Sequence, residues 1–211
     1  GRRAGACVCM APRRKRTTAA RHRSHVQEPF LGVKVTRRLR HTVHVAKMRR
    51  WAQSRLRLQD AVILDTETTD LFGQVVQVSI IDLTGQVLLS TLVRPTTVVS
   101  PEATAVHGIR EEDLQDAPSL SAIAAQLLAA TRGRQLLAYN APYDRQVLTA
   151  DLRAIGVDPA HLGDRENWVC LMRARSLVEG RGWVALGGPH HALGDCLAAL
   201  KVLYCIAGRP T

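Results

Sequence analysis

Residues Ala61 to Leu71 read AVILDTETTDL, and the interpretation of the whole chain starts there. Ala61 to Leu64 form an apolar, partly β-branched run, the pattern of a buried strand. The run ends in two acids, Asp65 and Glu67. Side chains on a strand alternate faces, so residues two apart point the same way. Two carboxylates therefore project together from a strand end, which costs free energy until a cation neutralises them. Thr66, Thr68 and Thr69 add hydroxyls and a turn. An isolated D-x-E is ordinarily no more than a polar strand end, so its meaning depends on carboxylates supplied elsewhere.

Working outward, Gln74 to Asp82 alternates Val76, Val78 and Ile80 against Gln77 and Ser79. Gln86 to Val93 follows the turn signal Thr84-Gly85, so the first three strands are expected to be antiparallel. Pro101 to His107 reads as a short helix stopped by Gly108. Leu120, Ile123, Ala124, Leu127 and Leu128 give the helical spacing of Ser119 to Thr131. Gln135 to Tyr139 is a short apolar strand running into a helix that Asn140 caps and that ends near Ile155. Trp168 to Leu171 reads as a fifth strand, followed by a helix over Met172 to Val178 and a Gly-rich loop from Gly180 to Pro189. The last helix, Ala192 to Ala207, places Leu193, Leu197, Leu200 and Tyr204 on one face. Strands first, then alternating helices and strands, predict an α/β fold with a central mixed five-stranded sheet flanked by helices.

Two further acids fall at element starts, Asp144 in the helix after the fourth strand and Asp195 in the last helix. Either alone is an ordinary complement to a helix dipole. Together with Asp65 and Glu67, and with His190 and His191 just before Asp195, they form an ordered set: D-x-E, N-x-x-x-D, H-x-x-x-x-D. Here the sequence resembles the DEDD superfamily of 3′–5′ exonucleases with a ribonuclease H-like fold. It looks like the branch with a catalytic histidine, which includes the proofreading ε subunits of bacterial DNA polymerase III. The motifs are DTETT at Asp65–Thr69, YNAPYD at Tyr139–Asp144 and HHALGD at His190–Asp195, with ATAVHGI between the first two. The resemblance covers about residues 60–207. Two positions depart from it: Tyr139, where relatives often carry His, and Asp70, where they usually carry Gly.

The resemblance implies hydrolysis of phosphodiester bonds from the 3′ end of single-stranded DNA or RNA, DNA ahead of RNA but the choice left open by the sequence, with release of nucleoside 5′-monophosphates. Two divalent ions, Mg²⁺ or Mn²⁺, would be held by Asp65, Glu67, Asp144 and Asp195. Asp65 would bridge both ions, and Glu67 and Asp195 would hold the one that binds the attacking water. The histidine five residues before the last Asp is His190, which makes it the general base and His191 its neighbour. Thr68, Leu71, Phe72, His107, Asn140 and Tyr143 are candidates to contact the terminal nucleotide. The competing function is an inactive module of the same fold serving as a DNA polymerase partner or nucleic-acid-binding subunit. A missing carboxylate would favour it, and none is missing.

Charge divides the chain. Residues 1–57 carry 17 Lys and Arg against one acid, Glu28; residues 58–211 carry 12 against 17 acids. The domain is accordingly assigned to 58–211, and 1–57 to a basic, disordered extension. Three readings of that extension stand: an arm that binds nucleic-acid phosphates, a leader foreign to the natural protein with a start near Met48, or a zinc site at Cys7, Cys9, His22 and His25 whose C-x-C and H-x-x-H spacings are too short. No run of about 18 apolar residues is present to span a membrane, and the N-terminus has no secretory-signal pattern. Five cysteines without framework spacing point to a reduced, cytoplasmic protein. Nothing in the sequence indicates an oligomeric state.

Overall fold

Side-chain alternation along β1 (Ala61–Thr68) sets the architecture, because its two faces enter two separate cores. In this computed structural model, residues 37–209 are described, with side chains from residue 41. Val62 and Leu64 join one core with Val78, Ile80 and Leu136; Ala61 and Ile63 join the other with Ile81 and Leu137. Around β1 the sheet has the order β3-β2-β1-β4-β5, with β2 at Val75–Asp82, β3 at Val87–Leu92, β4 at Gln135–Ala138 and β5 at Trp168–Cys170. β1, β2 and β3 are antiparallel neighbours, while β4 and β5 run parallel to β1. The mixed five-stranded sheet expected from the sequence is therefore present.

Helices cover both faces. The chain forms α1 (Arg37–Leu58), α2 (Pro101–His107), α3 (Glu111–Leu114), α4 (Leu120–Thr131), α5 (Ala141–Ala154), α6 (Leu171–Glu179) and α7 (Ala192–Ala207). α4 and α5 supply Ile123, Leu127 and Leu148 to the first core. α1, α6 and α7 supply Leu56, Leu171 and Leu203 to the second. Ser100 and Ser119 cap α2 and α4 by accepting from Ala103 N and Ala122 N. Among the described residues, no helix is long and apolar enough to cross a membrane.

Two sequence expectations need correction. The boundary at residue 58 falls too late, since α1 occupies 37–58 and buries Ala52 and Leu56, with Met48 and Trp51 packed on the same core. The sparse series Val45, Met48, Ala52, Leu56 has helical spacing but is submerged among arginines, so composition hid a structured element. The phosphate-binding, zinc and foreign-leader readings of residues 1–36 lie outside the described residues. On α7 the buried face is set by Cys196, Ala199, Leu203 and Ile206, whereas Leu197 is exposed. Small residues there bring the helix close to the sheet, near enough for Cys196 Sγ to bond the carbonyls of Ile63 and Ser79.

Candidate active site

Asp65 and Glu67 continue the alternation of Ala61 and Ile63, so both carboxyls point toward the α7 side of the sheet. The register of β1 slips between Glu67 and Thr68, a bulge next to the acids. Thr66 faces the opposite side. Its N–H and Oγ1 donate to Asp144 Oδ1 at 3.2 and 2.9 Å, fixing the carboxyl at the start of α5. β1 and β4 are parallel neighbours, so Asp144, just beyond β4, stands beside the acids of β1.

Asp195 is brought in by a contact the sequence did not advertise. Gln77, directly opposite Glu67 in the ladder, accepts from Ala192 N at 2.9 Å through its Oε1. That bond seats the first turn of α7 over the strand, and Asp65, Glu67 and Asp195 each present an oxygen within 4.8 Å of the others. Gln77 Nε2 also lies 2.9 Å from His191 Nε2. With Oε1 committed to Ala192, the amide donates and His191 accepts, so the His191 ring is occupied in holding the helix start. His190 is exposed and sits at φ 54°, a strained left-handed conformation for a residue with a Cβ. Gly188 lies so near Asp195 that an added Cβ would stand 1.7 Å from Oδ1. Gln77 and Gly188 are thus supporting residues that motif reading missed; the only hints were a polar residue on a central strand and glycine in the loop.

All four carboxyls are held above their ordinary range. Burial does most of this for Asp65, followed by the charges of Asp144, Glu67 and Asp195. Burial, then Asp195 and Asp144, push Glu67 up to about 7. Asp144 also rises to about 7 through burial, against the opposing bonds from Thr66. Burial raises Asp195, partly offset by His190. Four acids gathered in one largely buried site resist simultaneous ionisation unless a cation joins them. Among the described residues Asp195 Oδ1 is buried with no hydrogen-bond partner, and the ligand atoms on offer are hard oxygens. Both features fit a divalent ion such as Mg²⁺ or Mn²⁺.

Beside the acids lies a cavity of about 280 Å³ lined by Glu67, Thr68, Leu71, Glu102, His107 and Tyr143, among others. Thr68 Oγ1 donates to Asp70 O and therefore receives the Tyr143 hydroxyl proton. His107 Nε2 donates to Thr68 O while Nδ1 accepts from Ile109 N, so neither ring nitrogen is spare. Phe72 packs against Tyr143 with ring centroids 5.5 Å apart. Leu71 and Phe72 are 74% and 57% exposed, and Phe72 has a positive φ of 62°. Asn140 starts α5 but makes no side-chain cap bond, contrary to the role its position suggested. Neither Asn140 nor Phe72 is part of the cavity wall.

A mixed sheet carrying acids at the end of its central strand, with two more on adjoining helix starts, defines a carboxylate-dependent nuclease class. The exonuclease (RNase_T) family profile matches residues 62–203, and the chain belongs to that family. It is 29% identical over 171 residues to the uncharacterized exonuclease CP81 of Escherichia phage 186, covering 70% of this chain and 88% of that protein. It is 32% identical over 95 residues to the DNA polymerase III ε subunit of Pasteurella multocida strain Pm70, a match spanning 39% of this chain and 38% of the subunit. Among solved structures it is similar to exonuclease X in complex with 5′-overhanging duplex DNA, with 29% identity and a TM-score of 0.51 over 71% of this chain and 94% of that one.

Proposed function

We propose that the protein is a 3′–5′ exonuclease that removes nucleoside 5′-monophosphates from DNA ends, with His190 as general base. The observation that carries this reading is the convergence of Asp65, Glu67 and Asp195 around the unpartnered Asp195 oxygen, with Asp144 fixed beside them. Two divalent ions held by these four residues would acidify the attacking water and neutralise charge developing on the phosphate. His190 is the histidine left to accept the water proton, because the His191 ring is engaged by Gln77. Thr66 holds Asp144 in place, and the His107 and Tyr143 rings shape the pocket while their polar atoms bond the protein. That leaves ring faces, the exposed Leu71 and Phe72 and the Asn140 amide for the terminal nucleotide, by stacking, wedging and hydrogen bonding. DNA is favoured because the similar exonuclease X is seen with duplex DNA. An intact carboxylate set disfavours the inactive polymerase-partner module.

The test is incubation with end-labelled DNA and RNA in Mg²⁺, Mn²⁺ or chelator. We expect metal-dependent release of 5′-mononucleotides from the 3′ end, faster on DNA. Activity that survives chelation, or cleavage from the 5′ end alone, overturns the proposal.

A further inference from the structure

Among the described residues, a groove bearing three arginines without ion pairs is separate from the carboxylate pocket. A cavity of about 430 Å³ runs along the outer edge of β5, between the start of α5, α6 and α1. Arg145, Arg165 and Arg173 line it, and among the described residues no carboxylate does. None of the three forms an ion pair among the described residues; the described bridges use Arg55, Arg110, Arg175 and Arg181. Arg145 is half-buried and donates from Nη1 to Gly163 O at 3.3 Å, which anchors its guanidinium. Arg165 and Arg173 are exposed. The rest of the wall is largely apolar, including Met48, Pro142 and Leu177.

Position links this groove to the acids. β1, β4 and β5 are parallel neighbours, so the acids, the start of α5 and the start of α6 follow one another along one sheet edge. The start of α5 is shared: Asp144 joins the carboxylates, whereas Ala141, Pro142 and Arg145 line the groove. Arg145, Arg165 and Arg173 gather positive charge within residues 58–211, a stretch that is acidic in sum. Arginine's planar fork suits phosphate, and an apolar floor suits a base or sugar face.

We infer that the Arg145–Arg165–Arg173 groove is a second nucleic-acid subsite, holding backbone phosphates of the strand upstream of its 3′ terminus. The inference rests on the exonuclease reading for its direction, and the groove adds length-dependent affinity to it. A dinucleotide cannot reach past the carboxylate pocket, whereas a longer strand crosses the first turn of α5 and engages the arginines.

The test compares wild type with Arg165→Ala/Arg173→Ala, which leaves the anchored Arg145 in place, and with the charge-retaining Arg165→Lys/Arg173→Lys. Binding of a labelled single-stranded oligodeoxynucleotide is followed by anisotropy in chelator across a salt series, and turnover of a dinucleotide and of a long strand is measured in Mg²⁺. The alanine pair should flatten the slope of log affinity against log salt by about 1.4, or roughly 0.7 per phosphate contact. It should also raise KM for the long strand and leave dinucleotide turnover and melting temperature unchanged. The lysine pair should retain most of the slope. Hydrolysis combined with salt dependence that ignores the substitutions overturns the groove and spares the exonuclease reading. Arginine-dependent binding without any metal-dependent hydrolysis supports the groove and overturns the exonuclease reading.

Discussion

The acids and the histidines of this site are held in opposite ways. Asp65 and Glu67 lie on a central strand paired on both sides, and Asp144 is fixed by two bonds from Thr66. His190 is exposed in a Gly-rich loop with a strained backbone. Charges that must sit together before a cation arrives need a rigid scaffold, because any slack lets them move apart. In the role proposed for His190, a proton acceptor would need contact with water, which an exposed loop position provides. His191, one residue on, belongs with the rigid side, since Gln77 ties it to β2.

Removing a rigid acid should have the largest effect. Asp65→Asn keeps the shape of the side chain but removes charge from the centre of the cluster, and we expect turnover to fall to background with weakened metal binding by calorimetry. A variant with wild-type metal affinity would show that the cluster is not the ligand set.

Replacing the loop histidine should come next. His190→Ala should lower the single-turnover rate by about 10²–10⁴-fold and leave metal affinity unchanged. His190→Gly should lose the same rate yet melt higher than the alanine variant, because glycine adopts the positive φ without strain, a difference of about 1 kcal/mol. His191→Ala should cost much less in rate. If it is the slower of the two, the division between the exposed loop histidine and the anchored one is wrong.

A third variant probes how the loop and the acids meet. Gly188→Ala must displace the Asp195 carboxyl, which an added Cβ would approach to 1.7 Å. We expect a loss of metal affinity of about 10–100-fold, the usual scale for disturbing a ligand's support. Unchanged affinity would show that the loop yields instead.

The remaining effects concern stability and leave turnover as the lesser readout. Carboxyls raised above their unfolded values favour the folded state while protonated and oppose it once ionised. The metal-free protein should therefore lose stability as pH rises from about 4, the unfolded carboxylate range, to about 7, where Glu67 and Asp144 titrate. Mg²⁺ or Mn²⁺ should raise the melting temperature more at pH 8 than at pH 5, because protons compete for the ligands. Equal increments at both values would remove the carboxylates as the site of action. On the far side of the second core, Leu56→Ala should cost about 2–5 kcal/mol in denaturant unfolding if α1 is integral to the domain.

The sequence by itself determined the five strands, the principal helices and the four acids, because each is written locally. Val62 and Leu64 against Ala61 and Ile63 encode a strand with two buried faces, and the same period of two carries on to Asp65 and Glu67. Asp144 and Asp195 stand at helix starts that short-range rules mark. Tertiary structure alone decided what depends on residues distant in the chain. α1 became visible only once Ala52 and Leu56 had a core to enter, since its Arg-rich composition outweighs a sparse stripe. The distinct places of His190 and His191 come from Gln77, more than a hundred residues earlier, because a side-chain hydrogen bond leaves no periodic trace. The arginine groove draws on α5, the turn before β5 and α6, which converge only when parallel strands stack side by side.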